Sequence, residues 1–359
     1  MLLAGVRRQP LHGEWMVSSL NHNPRIQPSG DASRLISTAQ FPRRLFHCCL
    51  DDQPDHLVPE RYLRDWASED RADRPLFINP DGWVVRNGEL PSAVADHAWL
   101  LDNFAPDSDM VWVRDQTRNI LLPFWLGPAF RSALAGAQPG DRAPSGLSGE
   151  ARRVLAMAEV LVPGDHEAVR RQRWSQVISR RAAEFEQKRY APVGQLIHPF
   201  HISSLRRYYR HLIRQGELKL GDSQSPLRYA TQNEAVARFF HHQLAIAVSS
   251  VVQEPVKPSY VYLGAYQAGA ELEAHVDREQ CEFSVSLCID YSPEPVLETP
   301  WPLHLQTPKG KTTVFQGIGD ALIYCGRELP HSRDPLPPGN SSTSLFFHYV
   351  AESFTGPLT

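Results

Sequence analysis

The stretch Cys281-Glu-Phe-Ser-Val-Ser-Leu-Cys-Ile-Asp290 alternates apolar and polar side chains at every second position. That period is the repeat of a β-strand, so the stretch predicts a half-buried strand with one face on a core. Runs rich in aromatic and β-branched residues lie on both sides of it, at 258–266, 301–306, 312–315, 321–325 and 343–350. Many short strands separated by Gly, Pro and Asn clusters predict a sandwich or a closed jelly roll rather than a parallel sheet.

A possible metal site lies among these strands. His275-Val-Asp277 precedes the central strand, and His331 follows the run at 321–325. Residues two apart on a strand share a face, so His275 and Asp277 can reach one metal ion, and a returning strand can supply His331. Two imidazoles and one carboxylate form the ligand set of non-haem Fe(II) oxygenases, which keeps positions open for a co-substrate and O2. We therefore predict that these three side chains bind Fe(II).

The segment 256–352 resembles the Fe(II)/2-oxoglutarate-dependent oxygenases with a double-stranded β-helix core, and within them the prolyl-hydroxylase-like branch. The resemblance is carried by HVD at 275–277, GDALIYCGRELPH at 319–331 and TSLFFHYV at 343–350, in the family's order. It implies that His275, Asp277 and His331 are the iron ligands and that 2-oxoglutarate is the co-substrate. It further implies release of succinate and CO2 and hydroxylation of a C–H bond in an amino-acid residue, free or in a peptide.

One position departs from the family's pattern. Members usually carry an arginine or lysine that opens the final strand and pairs with the far carboxylate of 2-oxoglutarate, but here residues 340–344 read Asn-Ser-Ser-Thr-Ser. A dicarboxylate still favours a charged partner. Arg333 is our candidate, because it lies two residues after His331 and would point to the same face. The alternative is that Arg333 pairs with Asp334 or another carboxylate.

Tyr262 and Thr343 are predicted to add hydroxyl groups to the 2-oxoglutarate site, and Arg278 and Arg327 are further candidates for its cation. The missing cation keeps a second hypothesis open, a non-haem iron oxygenase that does not use 2-oxoglutarate. A third hypothesis is a non-catalytic β-barrel that serves as a binding module. Succinate formation would separate the first two, and loss of metal binding in His275→Ala would count against the third.

The predicted fold class is α+β, with a helical segment and an N-terminal mixed α/β region ahead of the jelly roll. Residues 1–40 predict a loose N-terminal arm, 41–145 a mixed α/β region, 146–255 a helical region that packs on the barrel, and 256–359 the jelly-roll catalytic domain. The last predicted helix starts near Thr231, whose spacing to Glu234 fits a capping box. Its apolar residues recur at helical spacing.

Composition narrows the class of partner. The 359 residues carry a formal charge of −3, which argues against nucleic acid as the main partner. Five cysteines without CxxC spacing predict a reducing, cytoplasmic setting, and no hydrophobic run of membrane-spanning length is expected. A basic helix at 206–214 aligns several arginines along one side, where they could bind an acidic partner or pair with carboxylates of the chain itself. The sequence leaves the oligomeric state open.

Overall fold

Strands outnumber helices in the part of the chain that the computed structural model describes, residues 45–51, 74–86, 98–105 and 109–359. The arm predicted at 1–40 lies outside these ranges. The strands are β1 (Cys49–Leu50), β2 (Leu76–Ile78), β3 (Gly82–Val85), β4 (Met110–Asp115), β5 (Ile120–Leu126), β6 (Leu161–Pro163), β7 (Tyr190–Val193), β8 (Lys219–Leu220), β9 (Arg228–Gln232), β10 (Val256–Gln267), β11 (Leu272–His275), β12 (Phe283–Ser292), β13 (Leu303–Thr307), β14 (Gly310–Val314), β15 (Ala321–Tyr324), β16 (His331–Arg333) and β17 (Ser341–Ala351). The α-helices are α1 (Pro128–Ala133), α2 (Gly149–Met157), α3 (His166–Lys188), α4 (Pro199–Arg214) and α5 (Ala235–Val252).

The eight strands from β10 to β17 have the order of a double-stranded β-helix. The larger sheet contains β15, β12, β17 and β10 as neighbours, and the smaller sheet contains β11, β16, β13 and β14. Every pairing within these two sets is antiparallel. The chain therefore passes back and forth between two facing sheets, as in a jelly roll. The predicted fold class, α+β with a C-terminal double-stranded β-helix, is confirmed.

Strand β12 has two faces of different chemistry. Val285 and Leu287 belong to the main hydrophobic core, whereas Ser284 and Ser286 hydrogen-bond to side chains inside the barrel. The alternation is as predicted, but the strand is not half-buried, because every residue except Ser292 is buried. The serine face is covered by the barrel rather than by solvent.

Three strands from before residue 256 extend the larger sheet. β7 pairs with β15, β9 pairs with β10, and β8 pairs with β9. Residues 44–359 form one compact unit. The domain boundaries predicted at 145/146 and 255/256 stay predictions, and the larger sheet runs across the second of them.

Helix α5 begins at a different residue from the one predicted. Thr231 lies within β9, and the N-cap is Glu234, whose carboxylate accepts 3.1 Å hydrogen bonds from the backbone N–H groups of Val236 and Ala237. The hydroxyls of Tyr208 and Tyr209 also donate to this carboxylate, at 2.9 and 2.8 Å. The capping box at Thr231 is therefore wrong, since β9 continues through that residue and the helix starts later.

By length and composition α5 could cross a membrane, since its 18 residues have a mean hydropathy of 1.2. It is the one described helix that meets this test, and half of its residues are buried in the protein. Buried side chains such as Phe239, Leu244 and Val248 belong to the main core. The packing of these side chains accounts for the hydropathy of α5. By length and composition the described part of the chain does contain one apolar run long enough to span a membrane, which was not expected from the sequence.

A separate four-stranded sheet outside the barrel has the strand order β1-β5-β4-β3 and contacts helices α4 and α5. The rings of Phe104 and Trp112 approach Phe239 of α5, with centroids 5.0 and 6.5 Å apart. His201 Nε2 of α4 lies 2.9 Å from the carbonyl oxygen of Pro123 in β5. These contacts tie the N-terminal strands to the helices that cover the barrel.

Candidate metal centre

The three predicted ligands come together at one end of the smaller sheet. His275 ends β11 and pairs with His331, the first residue of β16. A register shift between Leu272 and His275 adds a residue to β11, and this bulge is what aligns His275 with His331. Asp277 Oδ1 lies 3.8 Å from His275 Nε2 and 3.6 Å from His331 Nε2. All three ligand atoms lie within 4.8 Å of one another.

Hydrogen bonds fix which nitrogen of each imidazole faces the centre. His275 Nδ1 lies 2.9 Å from the carbonyl oxygen of Glu273, and His331 Nδ1 lies 3.0 Å from that of Leu329. A carbonyl only accepts, so each Nδ1 carries the proton and each Nε2 presents its lone pair. This tautomer is the one that metal-binding histidines adopt when the other nitrogen is held by a backbone acceptor.

Asp277 has one oxygen engaged and one directed at the histidines. Its Oδ2 accepts a 2.7 Å hydrogen bond from Ser284 Oγ, and its backbone N–H donates to the carbonyl of Gly326 at 2.9 Å. A Cβ at Gly326 would lie 2.0 Å from Asp277 Oδ2. The carboxylate therefore fits only because residue 326 is glycine.

Burial differs between the two histidines. His331 is 3% exposed, and its pKa is lowered, mainly by burial, although the charge of Asp277 acts in the opposite direction. His275 is partly exposed, with 30% of its side chain accessible. His331 thus lies inside the barrel as a neutral imidazole, and the centre opens toward solvent on the side of His275.

Arg333 is a buried guanidinium with incomplete bonding. It is 5% exposed; Nη1 donates to the carbonyl of Trp301 at 2.6 Å and Nη2 to Gln316 Oε1 at 3.1 Å, while the buried Nε has no partner. Burial lowers the pKa of this group. Within residues 109–359 no carboxylate forms an ion pair with it, and Asp334 bonds instead to His304, at 3.0 Å. A buried cation without an anion is costly, so the site favours an anionic ligand.

The structure does not place Tyr262 and Thr343 with the predicted ligands. The Tyr262 hydroxyl donates to Asp222 at 2.7 Å, and its ring lies 5.0 Å from the Arg228 guanidinium. Thr343 pairs with Asp290 across the strands, and that carboxylate bonds to arginines of α4, so Thr343 faces the helices. The prediction that Thr343 adds a hydroxyl to the 2-oxoglutarate site stays a prediction, and Thr343 lies an odd number of positions from His348, which bonds to Ser284 inside the barrel.

The basic helix α4 is paired within the chain. Arg206 Nε donates to Asp290 Oδ1 at 2.9 Å, and Arg210 donates to the same carboxylate. Arg207 bonds to hydroxyls of its own helix at Ser203 and Ser204. The structure therefore supports the alternative of carboxylate pairing over a surface for an acidic partner.

The sequence did not point to Ser284 or Gly326, and it left open whether His348 faces the pocket or lies in the core or at the rim of the barrel. Ser284 Oγ is also 2.9 Å from His348 Nδ1, and burial lowers the pKa of His348 to about 4. Asp277, Cys281 and His348 also lie close enough to hold a metal by distance alone. Burial raises the pKa of the Cys281 thiol to about 12. For Ser284 the available signal was the polar face of the otherwise buried strand β12.

Several solved structures are similar to about half of this chain. They include SnoN, a non-haem α-ketoglutarate-dependent epimerase from nogalamycin biosynthesis, with a TM-score of 0.42 and 12% identity over 49% of this chain and 84% of its own. A Pseudomonas putida prolyl-4-hydroxylase has a TM-score of 0.40 and 14% identity, and the match covers 49% of this chain and 100% of that chain. HygX from Streptomyces hygroscopicus, solved with nickel, 2-oxoglutarate and hygromycin B, has a TM-score of 0.39 and 12% identity, and the match covers 49% of this chain and 88% of that chain. No family model and no curated protein matches the sequence. The strand order establishes the fold without these matches.

Proposed function

We propose that this protein is an Fe(II)/2-oxoglutarate-dependent oxygenase that hydroxylates a C–H bond of an amino-acid residue, free or in a peptide. The observation that carries the proposal is the convergence of His275 Nε2, Asp277 Oδ1 and His331 Nε2 inside a double-stranded β-helix. Two imidazoles and a carboxylate on one side of a metal leave the opposite positions for a chelating co-substrate and O2.

The residues fit a divalent iron in their protonation as well as their position. Backbone carbonyls hold Nδ1 of both histidines, so each Nε2 is unprotonated, and Asp277 presents one oxygen to them. The Tyr324 hydroxyl lies 3.5 Å from His331 Nε2. The distances from Asp277 Oδ1 to the two Nε2 atoms are shorter than twice a metal–ligand bond of about 2.1 Å. The three ligand atoms lie within 4.8 Å of one another, a spacing at which the group could hold one metal ion.

Arg333 supports 2-oxoglutarate as the co-substrate. It lies two residues after His331 on the same strand face, and its buried Nε has no partner. A carboxylate at this point would supply the missing acceptor and neutralise the charge. Arg333 thus takes the role of the cation that is missing at 340–344.

When bound, Fe(II) and 2-oxoglutarate supply the oxidising chemistry: with O2, the oxoacid becomes succinate and CO2, and one oxygen atom goes to the substrate C–H bond. The protein's contribution is placement. His331 and Arg333 hold the buried side and exclude water there, whereas the partly exposed His275 marks the side at which a substrate enters.

The substrate class is proposed from the resemblance of residues 256–352 to the prolyl-hydroxylase-like branch. Nucleic acid is not expected, since the arginines of α4 that could have bound it, Arg206 and Arg210, are paired with Asp290. A cytoplasmic setting is likewise proposed, because all five cysteines are free thiols in the structure.

The test is an anaerobic titration of the purified protein with Fe(II) and then 2-oxoglutarate, followed by the visible metal-to-ligand charge-transfer band. We expect the band in the wild type and in neither His275→Ala nor Asp277→Ala. His304→Leu, a barrel histidine that bonds to Thr313 and Asp334, is the matched control and should keep the band.

Three other outcomes would overturn parts of the proposal. Iron binding without the band would favour an oxygenase with another co-substrate. Iron binding that survives His275→Ala would remove the proposed centre. Succinate formation with no gain of 16 mass units in any amino acid or peptide of a screened panel would overturn the substrate class.

A further inference from the structure

Two consecutive hydrogen bonds connect Asp277 Oδ2, the oxygen that does not face the histidines, to Ser284 and then to His348. Ser284 Oγ lies 2.7 Å from Asp277 Oδ2 and 2.9 Å from His348 Nδ1. Ser284 on β12 and His348 on β17 are cross-strand partners in the larger sheet, so the strand register sets their spacing. Both side chains are buried, Ser284 completely.

The direction of the two bonds follows from their chemistry. An ionised carboxylate can only accept, so Ser284 donates its single hydroxyl proton to Asp277. The hydroxyl oxygen must then accept from His348 Nδ1–H. The result is a one-way chain from His348 through Ser284 to Asp277, which ends on the oxygen that does not face the two other ligands.

His348 is itself fixed in place. Its carbonyl oxygen accepts from Ser259 Oγ at 2.9 Å and lies 2.8 Å from His241 Nε2 of α5. Its ring packs against Tyr260, with centroids 4.6 Å apart. The imidazole therefore has little freedom to leave Ser284, and the chain is anchored in the core of the larger sheet.

We infer that Ser284 and His348 are positioning residues that keep Asp277 Oδ1 turned toward the two histidines and thereby set the affinity for the metal. This inference rests on the proposed function. A carboxylate without such a partner can rotate and present either oxygen, so binding the metal would cost the entropy of fixing it. Partners of this kind typically contribute about 10–100-fold to metal affinity.

The experiment is an anaerobic Co(II) titration of the whole protein, in which the visible bands of Co(II) report binding directly. We expect Ser284→Ala to weaken Co(II) binding about 10–100-fold and His348→Leu about tenfold. His348→Asn should bind as the wild type does, because the asparagine Nδ2 can occupy the place of the imidazole Nδ1 and donate to Ser284. His304→Leu, outside the chain of bonds, should also keep the wild-type affinity.

A second readout separates positioning from general damage. At saturating Co(II), the affinity for 2-oxoglutarate should stay within about twofold of the wild type in Ser284→Ala, because Arg333 and its contacts are unchanged. Collapse of the barrel would weaken both affinities together, and that result would count against a positioning role.

The outcomes distinguish this inference from the proposed function. If the wild type binds Co(II) and Ser284→Ala binds it equally well, the inference is overturned and the proposed function stands. The same holds if His348→Asn is as weak as His348→Leu, because the donor would then be irrelevant. If the wild type binds no Co(II), the proposed function fails and the inference fails with it.

Discussion

His331 and Arg333 lie two residues apart on β16 and so project from the same face of the smaller sheet. The imidazole meets Asp277, at 3.6 Å, while the guanidinium reaches the carbonyl of Trp301 and the side chain of Gln316. One short strand thus carries a predicted metal ligand, His331, and the arginine that we propose binds the carboxylate of the co-substrate, two residues away on the same face.

Arg333→Met should separate ligand binding from stability. We expect the dissociation constant for 2-oxoglutarate to rise at least about tenfold, because charged hydrogen bonds contribute about 1.5–3 kcal/mol each. The free energy of unfolding of the ligand-free protein should stay the same or rise, since a buried charge without an ion-pair partner is removed. Calorimetric titration and urea denaturation measure the two quantities. A less stable variant with wild-type 2-oxoglutarate affinity would make Arg333 a structural residue only.

Gly326→Ala should displace the carboxylate of Asp277. The new Cβ would lie 2.0 Å from Asp277 Oδ2 and 2.8 Å from Ser284 Oγ, so the carboxylate must move. We expect metal binding to weaken at least about tenfold and stability to fall by about 1–3 kcal/mol. Gly146→Ala is the control, because no atom lies within 4 Å of the added Cβ. Equal Co(II) affinity in the two variants would contradict the crowding argument.

Glu234→Ala should destabilise the start of α5. The carboxylate caps two backbone N–H groups and accepts from Tyr208 and Tyr209, so its loss should lower the free energy of unfolding by about 2–3 kcal/mol. Thr231→Val, at the position that the sequence suggested as the cap, should change it by less than about 0.5 kcal/mol. Thermal and urea unfolding compare the two, and a larger effect at Thr231 would refute the observed cap.

Glu159 should give the protein a specific acid sensitivity. Burial alone would raise its pKa, but its interaction with His166 and the charges of Arg170 and Arg118 lower it well below the ordinary 4.5. A lowered folded-state pKa stabilises the protein above the unfolded value, and this stability is lost as the pH falls through the folded value.

Glu159→Gln should therefore lower the free energy of unfolding by about 1–3 kcal/mol at pH 7. The gap between wild type and variant should narrow as the pH drops below about 5. Urea denaturation at a series of pH values measures it. Glu150→Gln, at an exposed carboxylate 4.0 Å from Arg153, should show a small difference at every pH. A gap that is constant with pH would mean that the pKa of Glu159 is the same in the folded and the unfolded protein, which would contradict the lowered pKa.

Local pattern was enough to predict the parts of the site that depend on short spacing. HxD places His275 and Asp277 within reach of one ion, and a two-residue step along a strand places Arg333 beside His331. The strand runs in the C-terminal third were found within a few residues, because period-two alternation and turn residues are local properties. The triad itself as a metal-binding site stays a prediction until metal is titrated.

The other features of the site and of helix α5 depend on pairing between strands that are distant in the sequence. The position of Thr343 in the chain does not reveal its pairing with Asp290, which lies beyond an irregularity in β12 after Cys288. Ser284 and His348 meet only because β12 and β17 are neighbours. The N-cap of α5 was misplaced because Thr231 continues a strand that pairs with Leu263. No local pattern contains this information.

Three strands from before residue 256 extend the larger sheet of the barrel at both of its borders. β9 covers one side of the twelve-residue β10, and β7 covers the open side of β15. Without them, both borders of the larger sheet would offer unpaired N–H and C=O groups to any passing chain, which is the usual route to strand-mediated aggregation. The segment before residue 256 therefore satisfies backbone groups on both sides of the larger sheet, and a fragment that started at residue 256 would expose them to other chains.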